Sequence, residues 1–152
     1  MNLEFLMDYH ADLAPAQPIG KGPLGTRSIH EVIGGTFAGP RLRGEVLTCG
    51  GDWLLTDDTG VGRLDVRATF RTHDGAHIYM QYFGIIELND QSAKAVSEGG
   101  STEYGEHYFA TQPRFETGDA RYGWLNRIVA VAEGRIRPNA VEYRVYACNP
   151  GV

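Results

Sequence analysis

The chain has 152 residues and a formal net charge of −5, and this length is typical of one domain, so we expect residues 1–152 to form a single domain. Arginine is spread singly rather than gathered into a basic patch, so we expect no nucleic-acid partner. No stretch reaches the roughly 18 apolar residues of a membrane-spanning helix. Met1–Asp8 lacks the features of a signal peptide, and two cysteines are too few for a disulfide framework. We therefore expect a cytoplasmic protein without membrane contact.

Alternating apolar and polar residues predict strands throughout the first half of the chain. The predicted strands cover residues 3–9, 28–37, 43–47 and 53–56. Between the first two, a proline- and glycine-rich segment over residues 14–25 predicts a loop that lies on the surface or over one mouth of a barrel.

The second half of the chain contains the plainest hairpin. Its strands are predicted at 62–72 and 77–88, joined by a turn with the strong signal Asp74-Gly75. Further strands are predicted at 106–112, 122–131 and 141–147. A short helix is predicted over residues 90–100, where Gly99-Gly100 would end it.

About eight strands and no second apolar block predict an all-β protein. A sheet of this size curls, splits or closes, and closure removes exposed edges. We therefore expect a closed or nearly closed antiparallel barrel with a short helix or loop insertion. Eight strands leave room for a side-chain core or for one small ligand.

Several motifs occur in a fixed order along nearly the whole chain: 33–46, Gly51-Asp52-Trp53, Leu64-Asp65-Val66-Arg67, 74–79, 108–118 and 122–126. Through them the sequence resembles the domain of unknown function 3237 family, also called uncharacterised protein family 0311. The resemblance implies a lipocalin-like β-barrel. It implies almost nothing about activity.

Candidate catalytic residues lie on the predicted strand 62–72 and just before the strand at 53–56. Asp65 and Arg67 share one face, which is either a solvated outer face or the lumen; the resemblance favours the lumen, since both match the family's Asp-x-Arg motif. In the lumen, Arg67 could hold an anionic ligand in a bidentate fashion. Asp52 follows two glycines, so it either caps a turn or acts as an acid or base with a raised pKa.

Aromatic and amide side chains supply candidates for ligand binding. Tyrosine and tryptophan in a barrel mostly pack, with their polar atoms hydrogen-bonded nearby. They can also line a cavity, stack on a flat ligand and donate to its oxygens. The ligand-binding candidates are Trp53, Gln81, Tyr122, Trp124 and Asn126, and Tyr79 is a further catalytic candidate.

Motifs for metals and cofactors are weak or missing. His73 and His77 have the spacing H-x₃-H, which suits a helix rather than a hairpin turn, while His30 and His107 could still converge in space. The sequence has no nucleophile elbow, phosphate loop or dinucleotide fingerprint after a strand. We therefore expect no metal and no cofactor.

The residues favour a cofactor-independent lyase or isomerase that uses acid–base chemistry on a small cyclic or aromatic organic acid, ketone or phenol. In this hypothesis Arg67 anchors the oxyanion or carboxylate, Asp52 or Asp65 moves a proton, and Tyr79 and Asn126 donate hydrogen bonds. The alternatives are a barrel that binds an apolar metabolite without changing it, and a structural domain whose lumen is filled. We expect a homodimer, the commonest assembly.

Overall fold

The computed structural model describes residues 1–151, which form nine antiparallel strands, one α-helix and one 3₁₀ helix. The strands are β1 (Asn2–Leu13), β2 (Gln17–Gly22), β3 (Gly25–Ala38), β4 (Arg43–Thr56), β5 (Val61–Thr72), β6 (His77–Glu87), β7 (Phe109–Glu116), β8 (Val129–Arg137) and β9 (Ala140–Asn149). Helix α1 (Asp90–Glu98) follows β6, and the 3₁₀ helix (Ala120–Arg127) follows β7.

One sheet contains all nine strands in the order β1-β9-β8-β7-β6-β5-β4-β3-β2. Strand β1 also pairs with β3, from Asp8 opposite Ala38 to Leu13 opposite Val32. This second pairing closes eight strands into a barrel and leaves β2 as an extra strand beside the first part of β3. The prediction of an eight-stranded antiparallel barrel is confirmed.

Two predicted elements differ from the structure. The predicted loop 14–25 contains β2, which forms a hairpin with the beginning of β3. The predicted strand 122–131 is wrong in its first part, because residues 120–127 form the 3₁₀ helix and β8 begins only at Val129. The Asp119 carboxylate starts that helix by accepting the backbone N–H of Arg121 at 2.9 Å.

The predicted helix after β6 is present and is capped at both ends. Asn89 precedes it and accepts the backbone N–H of Ser92 at 2.9 Å. Gly99 ends it with φ 70°, a left-handed conformation that glycine adopts without a steric penalty. The helix lies next to one end of the barrel.

The opposite end of the barrel is filled with side chains. Phe37 stacks on Phe70 with ring centroids 4.5 Å apart, and Met7, Ile78 and Met80 are buried with them. The 3₁₀ helix covers this end, with Leu125 buried against the core. Close packing at this end leaves the space for a ligand at the end that carries α1.

A glycine pair in β3 allows β1 and β3 to approach closely. Gly35 has φ +136°, and a Cβ atom on it would lie 1.9 Å from the backbone oxygen of His10. In a regular strand, residues five apart point to opposite faces, yet Val32 and Phe37 are both buried. The strand therefore contains a bulge between them, at which the inward and outward positions exchange. The glycines thereby permit the pairing that closes the barrel.

Candidate functional site

A cavity of about 530 Å³ opens at the end of the barrel that carries α1. Its volume falls within the range of small-molecule sites. Its walls are mostly apolar, and its mouth is bordered by three segments: the turn after β1, the end of α1 and the β8–β9 turn. The mouth residues include Ala14, Pro15, Ala16, Val96, Gly99 and Asn139.

Strand register places one row of side chains across β3, β4, β5 and β6 at this cavity. His30 lies opposite Asp52, Asp52 opposite Val66, and Val66 opposite Tyr82. Directly opposed residues share a face, and their Cβ atoms are about 4.5–5.5 Å apart. All four line the cavity, so an imidazole, a carboxyl and a phenol share one apolar compartment.

Asp52 is the ionisable residue whose surroundings are most unusual. Its carboxylate accepts the backbone N–H of Asp65 at 3.1 Å, and Leu54, Leu64 and Val66 line the cavity beside it. Burial is the main effect and raises the pKa of Asp52 to about 7, although the hydrogen bond opposes it. Near neutral pH the carboxyl group is therefore populated both with and without its proton, as general acid–base catalysis requires.

Three buried tyrosines lie together below the cavity. Tyr9 stacks on Tyr143 with centroids 5.5 Å apart, and Tyr82 meets Tyr143 edge-on at 5.3 Å. Burial raises the pKa values of Tyr82 and Tyr143 well above the usual value, so both phenols stay protonated. The hydroxyls of Tyr9 and Tyr143 have no hydrogen-bond partner within residues 1–151. Tyr82 and Tyr143 line the cavity, and the Tyr82 hydroxyl could donate to a ligand oxygen, whereas the Tyr143 hydroxyl is closed off from the cavity.

His30 and Ser28 lie on the wall formed by β3. The Ser28 hydroxyl is 3.0 Å from Nε2 of His30. Burial lowers the pKa of His30, so its imidazole is neutral near neutral pH. A neutral imidazole has one acceptor nitrogen, which can take up a proton.

Arg137 is the one arginine or lysine that lines the cavity within the described chain. Its guanidinium is already engaged, with Nε 2.8 Å from Glu142 and Nη2 3.1 Å from Glu103. It also donates to the backbone oxygen of Thr102 at 2.9 Å. Among residues 1–151, the cavity wall therefore offers no unpaired arginine or lysine.

The predicted luminal placement of Asp65 and Arg67 is wrong. Their side chains are 36% and 45% exposed, and they form a 3.2 Å ion pair on the outer face of β5. Leu64 and Val66 take the inward positions of that strand. Tyr79 also lies on the outer surface, 38% exposed. Arg67 is thus excluded as an anchor inside the barrel.

The predicted binding residues do not line the cavity either. Trp53 is 39% exposed, and Gln81 lies opposite Arg67 on the outer face. The other three, Tyr122, Trp124 and Asn126, are at the filled end of the barrel. The Tyr122 hydroxyl donates to Asp74 at 2.8 Å, and the Arg41 guanidinium lies 3.7 Å from the centre of the Trp124 ring. The Asn126 side chain accepts the backbone N–H of Thr117 and donates to its backbone oxygen. The contacts of Tyr122 and Asn126 hold the 3₁₀ helix in place.

Asp52 is the sequence-based candidate that the structure places at the cavity, and its catalytic role stays a prediction. Sequence reasoning missed Ser28, His30, Tyr82 and Tyr143 as site residues. The available signal was weak. In alternation His30 shares a face with Val32, and Tyr82 shares a face with Met80. An inward row follows from that pattern only when the barrel is known.

Fold and site together define a small closed β-barrel with a ligand-sized, mostly apolar cavity that contains an ionisable carboxyl group. The chain belongs to the family described as "Protein of unknown function (DUF3237)", whose model matches residues 1–148. A UPF0311 protein of Clostridium acetobutylicum is 32% identical over 119 residues, which are 78% of this chain and 75% of that protein. The crystal structure of a β-barrel-like protein from Acinetobacter baumannii has a TM-score of 0.83 at 35% identity, covering 96% of this chain and 94% of that one.

A further relative carries the name of an enzyme. It is a hydroalkoxylation enzyme of the fungus Penicillium herquei. It is 28% identical over 130 residues, which are 85% of this chain and 71% of that protein. The relatives of this chain therefore include at least one protein that is named for a catalysed reaction.

Three other observations concern residues 1–151. No helix there is long and apolar enough to cross a membrane. No group of three or more His, Cys, Asp or Glu side chains in this range is arranged to hold a metal ion. Cys49 and Cys148 are both free thiols, and neither lines the cavity.

Proposed function

We propose that this chain is an enzyme that moves protons on a small cyclic or aromatic molecule inside the barrel, as a lyase or isomerase without a cofactor. The observation that carries the proposal is Asp52, a carboxyl group in an apolar, ligand-sized cavity with a pKa of about 7. A general acid or base works best when its pKa lies near the working pH. A group with only a structural role has no need of such a value.

The neighbouring groups supply the rest of an acid–base site. Asp52 gives a proton to, or takes one from, a carbon or oxygen of the bound molecule. The hydroxyl of Tyr82 donates a hydrogen bond to an oxygen that gains negative charge in the transition state. His30, neutral and directly across from Asp52, is placed to take up a second proton. This arrangement replaces Arg67 and Tyr79, which lie outside.

The name of the fungal relative supports this class of chemistry. Hydroalkoxylation adds the O–H of an alcohol or phenol across a carbon–carbon double bond. One proton leaves oxygen and one arrives on carbon, so the reaction needs an acid and a base and consumes neither. When both groups belong to one molecule, the product is a cyclic ether and an isomer of the substrate.

Binding without turnover is the second candidate function. Apolar residues make up most of the cavity wall, which suits retention of an apolar metabolite. A binder would hold the same molecules but would not depend on the proton of Asp52 for any rate. The two functions therefore separate in a kinetic assay.

The first assay uses 2-allylphenol, which carries a hydroxyl and a pendant double bond, and follows its cyclisation to 2-methyl-2,3-dihydrobenzofuran. The same protein is assayed for exchange of the α-protons of 1-indanone with deuterium oxide. We expect Asp52→Asn to lower the rate of whichever reaction is catalysed by about 100-fold or more. Asp58→Asn is the matched control, because it removes a carboxylate from an exposed turn away from the cavity, and it should keep the wild-type rate. An Asp52→Asn variant with full activity would contradict the proposal, and ligand binding with no turnover in either assay would favour the binder.

We also propose that the chain forms a homodimer. Trp53, Phe83 and Ile85 leave 39%, 45% and 36% of their surface exposed on the outer faces of β4 and β6, which a partner could cover. Sedimentation equilibrium gives the mass directly, and a monomer mass at micromolar concentration would contradict this expectation.

A further inference from the structure

The charges around the cavity restrict which molecules it accepts. We infer that the cavity takes a neutral, flat ligand that carries a carbonyl or phenol oxygen, and that it rejects organic acids of the same shape. The inference rests on the proposed function in using the same cavity, but it concerns binding and needs no turnover.

The first argument is the balance of charge. Asp52 is the acidic side chain that lines the cavity in residues 1–151, and Arg137 is paired with Glu142 and Glu103. A ligand carboxylate would therefore enter an apolar space beside a second carboxyl group and without a free cation. Desolvation and like charge both oppose an anion there. A neutral ligand incurs neither penalty.

The second argument is the hydroxyl of Tyr82. Its side chain is 3% exposed, lines the cavity and lies in the row that contains Asp52. Buried hydroxyls are normally bonded, so a phenol at the cavity wall favours a ligand that offers an acceptor. The ring of Tyr143 packs edge-on against the ring of Tyr82. A carbonyl or phenol oxygen of a ligand would accept this hydrogen bond.

The third argument is the shape of the aromatic wall. The rings of Phe109 and Tyr82 meet the Tyr143 ring at 82° and 70°, each with centroids 5.3 Å apart. Their faces and edges form a flat-sided corner. Aromatic rings pack well in such a corner by stacked and edge-to-face contacts. The cavity volume of about 530 Å³ accommodates a fused-ring ligand.

The test compares 2-naphthol with 2-naphthoate, which share a ring system and differ in charge at pH 7.5. Isothermal titration calorimetry measures both with the full-length wild-type protein. We expect 2-naphthol to bind and 2-naphthoate to bind at least tenfold more weakly. Asp52→Asn should reduce that ratio, because it removes one of the two repelling charges. Equal or tighter binding of 2-naphthoate by the wild type would overturn the inference, as would no measurable binding of 2-naphthol up to its solubility limit.

Tyr82→Phe tests the hydrogen bond separately, and it keeps the ring that packs against Tyr143. We expect it to weaken 2-naphthol binding about tenfold, with Tyr79→Phe, on the outer face, as the matched control without effect. Unchanged binding in Tyr82→Phe, with a melting temperature like that of the wild type, would overturn the assignment of the donor.

Failure of this inference and failure of the proposed function give different results. Selective binding of 2-naphthol by a protein that catalyses neither reaction would leave the inference standing and refute the enzyme. Turnover that depends on Asp52, combined with tight binding of 2-naphthoate, would support the enzyme and refute the inference about ligand charge.

Discussion

Replacement of Asp52 by Asn should change how the stability of the protein depends on pH. The native pKa of about 7 lies above the ordinary value of 3.8, so between these values the native state holds a proton that the unfolded chain has released. Stability falls with rising pH wherever the native state binds more protons. The contribution of Asp52 to stability is therefore full below about pH 4 and is lost as the pH rises through 7. Asn carries no such proton, and its side-chain oxygen can still accept the backbone N–H of Asp65.

The size of the effect follows from the shift. The interval between the two pKa values is about three pH units, and each unit corresponds to about 1.4 kcal/mol. Between pH 4 and pH 8 the Asp52→Asn variant should thus gain about 4 kcal/mol in free energy of unfolding relative to the wild type. Carboxylates with lowered pKa values, such as Asp57 and Asp119, act in the opposite direction. They are present in both proteins, so their effect cancels in the difference.

Urea unfolding of both proteins, followed by tryptophan fluorescence at half-unit steps from pH 4 to pH 8, measures this difference. Asp58→Asn serves as the control, because its side chain is 84% exposed, and its difference from the wild type should stay nearly flat. A flat Asp52→Asn difference would refute the argument that burial raises the pKa of Asp52. So would a variant that is less stable relative to the wild type at pH 8 than at pH 4.

Three further substitutions test other parts of the structure. Arg67→Ala should leave 2-naphthol binding unchanged in calorimetry and lower the unfolding free energy by less than about 1 kcal/mol, because its ion pair is on the surface. Gly35→Ala should destabilise by about 3 kcal/mol or more in urea unfolding, because it combines a positive φ with a backbone clash, whereas Gly123→Ala, with open space around it, should be near neutral. Thr102→Val should cost about 1–3 kcal/mol in the same assay, because it leaves the buried ring of His107 without its 2.9 Å partner.

The hairpin of β5 and β6 illustrates what the sequence could predict. Its alternation is regular, its turn contains Asp74-Gly75, and the pairing from Val61 opposite Glu87 to Arg71 opposite His77 has no irregularity. Local signals suffice for such an element because the strand register set by the turn is also the register that places the apolar residues of both strands on one face. The extra strand β2 was harder to predict, since Pro18, Gly20 and Gly22 give it the composition of a loop. It forms because the beginning of β3 offers an open edge that β1 does not cover.

The 3₁₀ helix shows how composition can mislead. Tyr122, Trp124 and Leu125 suit a strand by propensity, but tertiary contacts decide their conformation. The Tyr122 hydroxyl bonds Asp74 in a distant turn, and the Asn126 side chain bonds the backbone of Thr117. These contacts exist only after the hairpin has formed, so no local pattern reveals them.

Asp52 and Asp65 were equal candidates in the sequence, yet the barrel places them on opposite sides of its wall. For Asp65 the strand itself decides, because Leu64 and Val66 form one apolar face and that face turns inward. In β4 both faces are apolar around Asp52, with Leu54 inside and Trp53 outside, so alternation alone assigns neither. The pairing of β4 with β3 and β5 places the Asp52 side chain inside the barrel, where burial of an ionisable group is unfavourable. Burial outweighs the opposing charge of Arg27 at this position, and the resulting carboxyl group fits the proposed exchange of a proton with a bound molecule.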